Sequence, residues 1–232
     1  IAFGASFSAG EESYLALSSF CAAQRLATGH HVSLLYMGME YLRTNHLVLA
    51  RHFLVAAYEA SNKTAALCMS EIGVMCCHHT RFDVASSWFV CALAIGNNAT
   101  VPEIDWKTFP SSYEIQNLER LLEQVQSDYW EPTLLNLAHS FRKGRFYDMA
   151  VACLERALSL KESSTAYSNL GFCLHLSSIR MGAEARNLNR ADQQRMRPKN
   201  TPFRRNQTLH RSIDAYHQAL AKKPDDPFST EM

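Results

Sequence analysis

The sequence lacks any apolar stretch of the roughly 18 residues that a bilayer span requires, and no basic-then-apolar segment with a cleavage site opens it. A soluble protein is therefore expected. It also lacks a dominant charge. Basic residues number 23 and acidic residues 22, a formal net charge of +1, so no overall field draws the chain to nucleic acid or to an anionic membrane. Disulfide spacing is missing as well. The seven cysteines are odd in number and scattered through apolar runs, which reads as reduced core thiols of a cytosolic or nuclear protein. No Gly-rich phosphate loop, nucleophile elbow or paired metal-binding histidine motif occurs. No catalytic residue, metal ligand or cofactor is assigned.

What the chain does have is apolar bulk. Over 232 residues, 47% are hydrophobic, enough for a substantial core in one solenoid or in one to two globular units. The first residue is Ile1, inside a helical pattern. That start suggests a segment of a longer protein with artificial termini.

Internal repetition decides the fold class. Around Gly38, Leu34 and Met37 precede, Tyr41 follows by three positions, Ala50 by twelve, Leu54 by sixteen and Ala57 by nineteen. Met69, Ile72, Gly73, Cys76, Ala85, Phe89 and Ala92 repeat those offsets, and Gly4, Phe7, Ala16, Phe20 and Ala23 fit them at the start. A fourth copy is Leu134, Leu137, Ala138, Phe141, Ala150, Leu154 and Ala157, with alanine in place of glycine. The last copy is split: Tyr167, Leu170, Gly171 and Leu174 supply a first helix, and Ser212, Tyr216, Ala219 and Pro224 a second, with about twenty-nine residues inserted between them. This is the tetratricopeptide pattern, whose period is about 34 residues. The predicted fold is all-α, a tetratricopeptide-repeat α-solenoid in which helical hairpins form a right-handed superhelix. In each hairpin the small residue of the first helix is expected to face the small residue of the second, while residues such as Tyr41, Phe89, Phe141 and Tyr216 fill the seams between hairpins.

The predicted boundaries are a truncated repeat at 1–30, repeats at 31–65, 66–96 and 129–163, and a split repeat at 164–181 and 209–224. Residues 97–128 hold Pro102 and Pro110 and then an amphipathic run, Tyr113 to Gln126, read as a loop followed by an extra helix. The insertion at 182–208 is basic; extended to Arg211 it carries eight Lys/Arg against two Asp/Glu, with Pro198 and Pro202 and few large apolar residues. A mobile surface loop is the reading. Its single aromatic, Phe203, leaves no interleaved stacking platform, so nucleic acid is not assigned as a partner.

Cys76, Cys77, His78 and His79 match a zinc set by residue type. Four consecutive helical residues point around the helix and do not converge on one ion, so no metal site is read there. His30, His31, His46 and His52 fall near turns and flanks and are read as solvated.

In a solenoid the inner faces of successive first helices form the usual partner surface. One turn from the packing positions lie Leu35, Tyr36, Met39, Glu71, Val74, Leu135, Asn136, His139, Arg142, Asn169 and Phe172, the predicted partner-binding residues. Their character is apolar and amide. A clamp for a C-terminal carboxylate would instead set Lys, Arg and Asn along this face, and in the second and third repeats those places are mostly apolar.

Several runs resemble one family more specifically: His31 to Ala57 (HVSLLYMGMEYLRTNHLVLARHFLVAA), Glu71-Ile72-Gly73-Val74, Trp130-Glu131-Pro132 with Asn136-Leu137, Arg142-Lys143, and Asp225-Asp226-Pro227-Phe228-Ser229. Together they are similar to the tetratricopeptide scaffold subunit of the anaphase-promoting complex, the cell-division-cycle-sixteen or cut-nine family, in its carboxy-terminal repeats. The basic insertion departs from that family. The resemblance implies a non-catalytic subunit of a multisubunit ubiquitin ligase in cell-cycle control, found in nucleus and cytoplasm. It further implies a small stabilising subunit whose amino-terminal segment lies in the groove, other repeat subunits as partners, and a homodimer made through amino-terminal repeats. No membrane partner is implied. The alternative from the repeat pattern alone is a general peptide-binding adaptor of chaperone or trafficking type.

Overall fold

The structure, a computed structural model, describes residues 1–99, 113–187 and 201–224. Pro102, Pro110, most of the basic insertion's centre and the run from Asp225 to Ser229 lie outside the described residues. The described chain is helical, without a strand, and divides into two compact units at residues 117 and 118.

The first unit contains three hairpins: α1 (Ala2–Ala9) with α2 (Ser13–Leu26), α3 (His31–Arg43) with α4 (Leu47–Ala60), and α5 (Ala66–His78) with α6 (Phe82–Gly96). Successive hairpins pack through α2 on α3 and α4 on α5. Most of α7 (Ile115–Gln124) belongs to the second unit, which also carries a short 3-10 turn (Asp128–Trp130), the hairpin of α8 (Glu131–Lys143) with α9 (Tyr147–Leu160), and the hairpin of α10 (Ser164–Asn187) with α11 (Thr201–Lys222). The division falls in the interrupted region that the sequence marks, and α7 is the extra amphipathic helix expected there. Leu118, Leu121, Leu122 and Val125 bury its apolar side. Arg156 of α9 fastens the helix end, its Nε (3.0 Å) and Nη2 (2.6 Å) both donating to the Val125 carbonyl.

The repeat spacing has a physical cause that differs from the one predicted. A methyl group placed on Gly38 would lie 2.7 Å from Leu54 Cδ2, one on Gly73 2.7 Å from Phe89 Cε1, and one on Gly171 2.8 Å from Tyr216 Cδ1. A methyl group on Gly4 would lie closer still to the Phe20 ring. The small residue of the first helix therefore faces the large residue of the second, sixteen positions on, and not the small one. Its missing side chain makes the socket into which a phenyl, isobutyl or phenol group fits, and Phe20, Leu54 and Phe89 are all fully buried there. In the last hairpin the same partners stand 45 positions apart, 29 more than elsewhere, and Ser212 Oγ adds a hydrogen bond to the Gly171 carbonyl at 2.8 Å.

The turns repeat as faithfully. Seven positions after the small residue, Glu11, Asn45, Thr80 and Arg145 each adopt a positive φ of 58–66°. The next backbone N–H then bonds back across the turn: Glu12 to the Phe7 carbonyl, His46 to Tyr41, Arg81 to Cys76 and Phe146 to Phe141, at 2.8–3.0 Å. These are left-handed helix stops that reuse otherwise orphaned carbonyls. The matching position in the last hairpin is Ser178, and no turn occurs there. The helix continues, making α10 and α11 24 and 22 residues long against 13 and 14 for α8 and α9. The flanks of the predicted surface loop are thus helical at 182–187 and 201–208, with Gly182 against the Arg205 guanidinium. Polar Ser177 and Ser178 sit buried where a turn would have ended the helix.

Candidate functional site

Counting from the small residue of each first helix, positions −2 and +1 fall on one face. They are Tyr36 and Met39 on α3, Glu71 and Val74 on α5, Asn136 and His139 on α8, and Asn169 and Phe172 on α10, all half-buried. That regularity follows from the helical repeat: the socket glycine turns inward to the second helix, so residues two before and one after it flank the opposite side. Position −3 differs. Leu35 is 3% exposed and belongs to the core, as does Ser70, whereas Leu135 is half-buried. Leu35 is therefore packing and not presented as predicted.

In the first unit, Tyr36 is held by a stack on Phe20, ring centres 5.2 Å apart and nearly parallel. Behind α3, Glu40 is buried at 2% exposure, takes a hydrogen bond from Ser8 Oγ at 2.7 Å and pairs with Arg43. Burial pushes its carboxyl up, but the Arg43, Ser8 and Ser13 contacts outweigh burial and hold it below the usual range. This clamp ties α1 to α3 and carries no groove chemistry. Sequence reasoning did not single it out, and an acidic residue two positions past the socket glycine was the available signal.

Glu71 is different. Burial alone raises its carboxyl to about 7. The folded chain therefore keeps a proton there that the unfolded chain gives up above the ordinary glutamate pKa near 4.3. Stability from this group is present below that value and is lost as pH rises toward 7. Glu71→Gln, which mimics the protonated acid, is expected to be more stable than the parent at pH 8 by on the order of 2 kcal/mol and to match it near pH 4. Melting curves across that range check this; an identical pH slope in the two proteins would contradict it.

The second unit brings together three predicted residues. Arg142 Nη2 donates to His139 Nδ1 at 3.0 Å, and its guanidinium carbon stands 4.8 Å from the centre of the Phe172 ring. Arg142 and Phe172 come from the first helices of successive hairpins, so the stack bridges α8 and α10. Burial first, then the charges of Arg142 and Lys143, hold His139 below the ordinary histidine range. A neutral ring is what an Arg N–H requires as acceptor. Asn136 and Asn169 flank this cluster on the same helix faces.

The other candidate chemistry does not converge. Cys76 is buried, Cys77 half-buried, and His78 and His79 exposed, so the four point apart. Among the described residues no group of His, Cys, Asp and Glu is placed to hold a metal ion. None of the seven cysteines is in a disulfide; burial raises Cys68, Cys76 and Cys91 to about 11 and Cys173 to about 12, which suppresses the reactive thiolate. No described helix is long and apolar enough to cross a membrane.

No protein-family profile matches the chain. It is 35% identical over 177 residues to anaphase-promoting complex subunit 6 of Arabidopsis thaliana, covering 76% of this chain and 28% of that protein. Against the human cell division cycle protein 16 homolog it is 28% identical over 237 residues, covering 100% of this chain and 29% of the relative. The chain thus spans under a third of the length of these relatives. Among solved structures, the hetero-tetramer of Cut9 and Hcn1 from the anaphase-promoting complex superposes with a TM-score of 0.68 at 20% identity, over 99% of this chain and 34% of that one, a likeness of fold. With the identity to these relatives, the chain belongs to the family named anaphase-promoting complex subunit 6, cell division cycle protein 16 and cut9.

Proposed function

We propose that the protein is a non-catalytic scaffold subunit of the anaphase-promoting complex, acting in cell-cycle control in nucleus and cytoplasm. In this reading the half-buried faces of its first helices hold the amino-terminal segment of a small partner subunit. Other tetratricopeptide subunits of the complex are further partners, and homodimerisation uses repeats of the longer protein. The observation that carries the reading is the repeated pair at −2 and +1 in a family whose members are named as subunits of that complex. In the first unit these faces offer apolar contact from Met39 and Val74; in the second they offer amide donors and acceptors from Asn136 and Asn169, which suit a peptide backbone. Affinity isolation of the tagged full-length protein from its own cells, followed by mass spectrometry, is expected to recover large repeat subunits of the complex together with a small one. Recovery of chaperones or trafficking factors in their place would contradict the assignment.

A further inference from the structure

Several cations of the described chain are held by a carboxylate: Arg43 by Glu40, Lys161 by Glu131 at 3.2 Å, Arg180 by Glu184 at 3.2 Å, Arg211 by Glu155, and Lys222 by Glu162 at 2.7 Å. Arg142 has none among the described residues. Its contacts are the neutral acceptor His139 and the Phe172 face. Both hold the guanidinium in place without neutralising it: the ring attracts the cation through its quadrupole, and the imidazole takes one of five N–H donors. The group is half-buried, so water screens it less than an exposed arginine, and its orientation is already fixed before anything binds. A planar, pre-oriented fork with free donors is the geometry that takes a carboxylate through two parallel hydrogen bonds.

We propose that the Arg142, His139 and Phe172 cluster is a receptor for an acidic side chain of the bound partner segment. Charge complementarity selects that occupant: a basic or apolar residue at this point would leave the guanidinium desolvated and unpaired. Phe172 and His139 act as positioning residues, setting the plane in which Arg142 meets the carboxylate. The inference rests on the proposed partner-holding role of these helix faces, but its test does not, because it uses the 232-residue chain alone.

The experiment is an NMR titration of that chain with capped hexaglutamate, hexaglutamine and a phosphoserine-containing hexapeptide of glycine, reading the Arg142 Nε–H and His139 ring signals. Hexaglutamate is expected to move both signals saturably, and hexaglutamine to move neither. In Arg142→Gln the apparent affinity for hexaglutamate should fall by roughly tenfold or more. Arg142→Lys, which keeps the charge but loses the fork, should fall partway, as should Phe172→Leu. Melting curves for each variant confirm that the fold is intact. No movement with hexaglutamate, an unchanged affinity in a folded Arg142→Gln protein, or a response confined to the phosphopeptide would each overturn the proposal. Failure of the partner-holding reading shows elsewhere, as an affinity isolate with no subunit of the complex.

Discussion

Gly73→Leu is expected to destabilise the chain by on the order of 3 kcal/mol, a drop of about 6–12 °C in melting temperature. The first carbon of any side chain at this position would sit 2.7–2.9 Å from three atoms of the Phe89 ring. Neither partner can yield cheaply, because Phe89 is fully buried among Val90, Ala92 and Leu93 of its own helix, which are also fully buried, and packed interiors transmit such strain. The fourth hairpin indicates the remedy. There Ala138 takes the socket position and Leu154 the place of the aromatic, both buried. A Gly73→Ala, Phe89→Leu double variant copies that pairing and is expected to be more stable than Gly73→Leu. Thermal circular dichroism checks both; a melting temperature unchanged by Gly73→Leu would show that the glycine does not sit in the hairpin crossing.

Much of this socket was readable before any coordinates. Gly4, Gly38, Gly73 and Gly171 recur at fixed offsets from Phe20, Leu54, Phe89 and Tyr216, and periodicity alone assigns hairpins to those runs. The direction of the contact was not readable. A small residue on one helix is compatible with a small or a large neighbour, and only the relative rotation of the two helices selects the large one. The same limit placed Leu35 among the presented residues. Positions −3 and −2 differ by 100° around the helix, and whether −3 is covered depends on the neighbouring hairpin: Leu35 and Ser70 are buried while Leu135 is half-buried.

The described flanks of the insertion, 182–187 and 201–208, differ from the expected loop for another reason. Its charge and lack of large apolar residues suggested a loop, yet charged residues such as Arg and Glu are good helix formers, and nothing at Ser178 supplies the left-handed stop that Glu11, Asn45, Thr80 and Arg145 make elsewhere. The contact of Arg142 with Phe172 was also hidden. The two are 30 residues apart on different hairpins, and a long side chain can reach several neighbours. Helical position marked both for the partner face; geometry was needed to join them.

In the proposed function the half-buried amide-bearing face of the second unit holds a partner. Asn136→Ala combined with Asn169→Ala removes hydrogen-bonding groups from that face while leaving Leu134, Leu137, Ala166 and Leu170, the buried residues of the same helices, untouched. Each lost interfacial amide contact is worth about 1–2 kcal/mol, so the pair should weaken partner binding by roughly 30-fold to several hundred-fold. The decisive measurement is quantitative affinity isolation of the tagged full-length double variant beside the parent, with a melting curve for each. An unchanged melting temperature, retained large repeat subunits and loss of the small one are expected. Full recovery of the small subunit by a double variant of normal stability would contradict it and direct attention to another surface of the repeats.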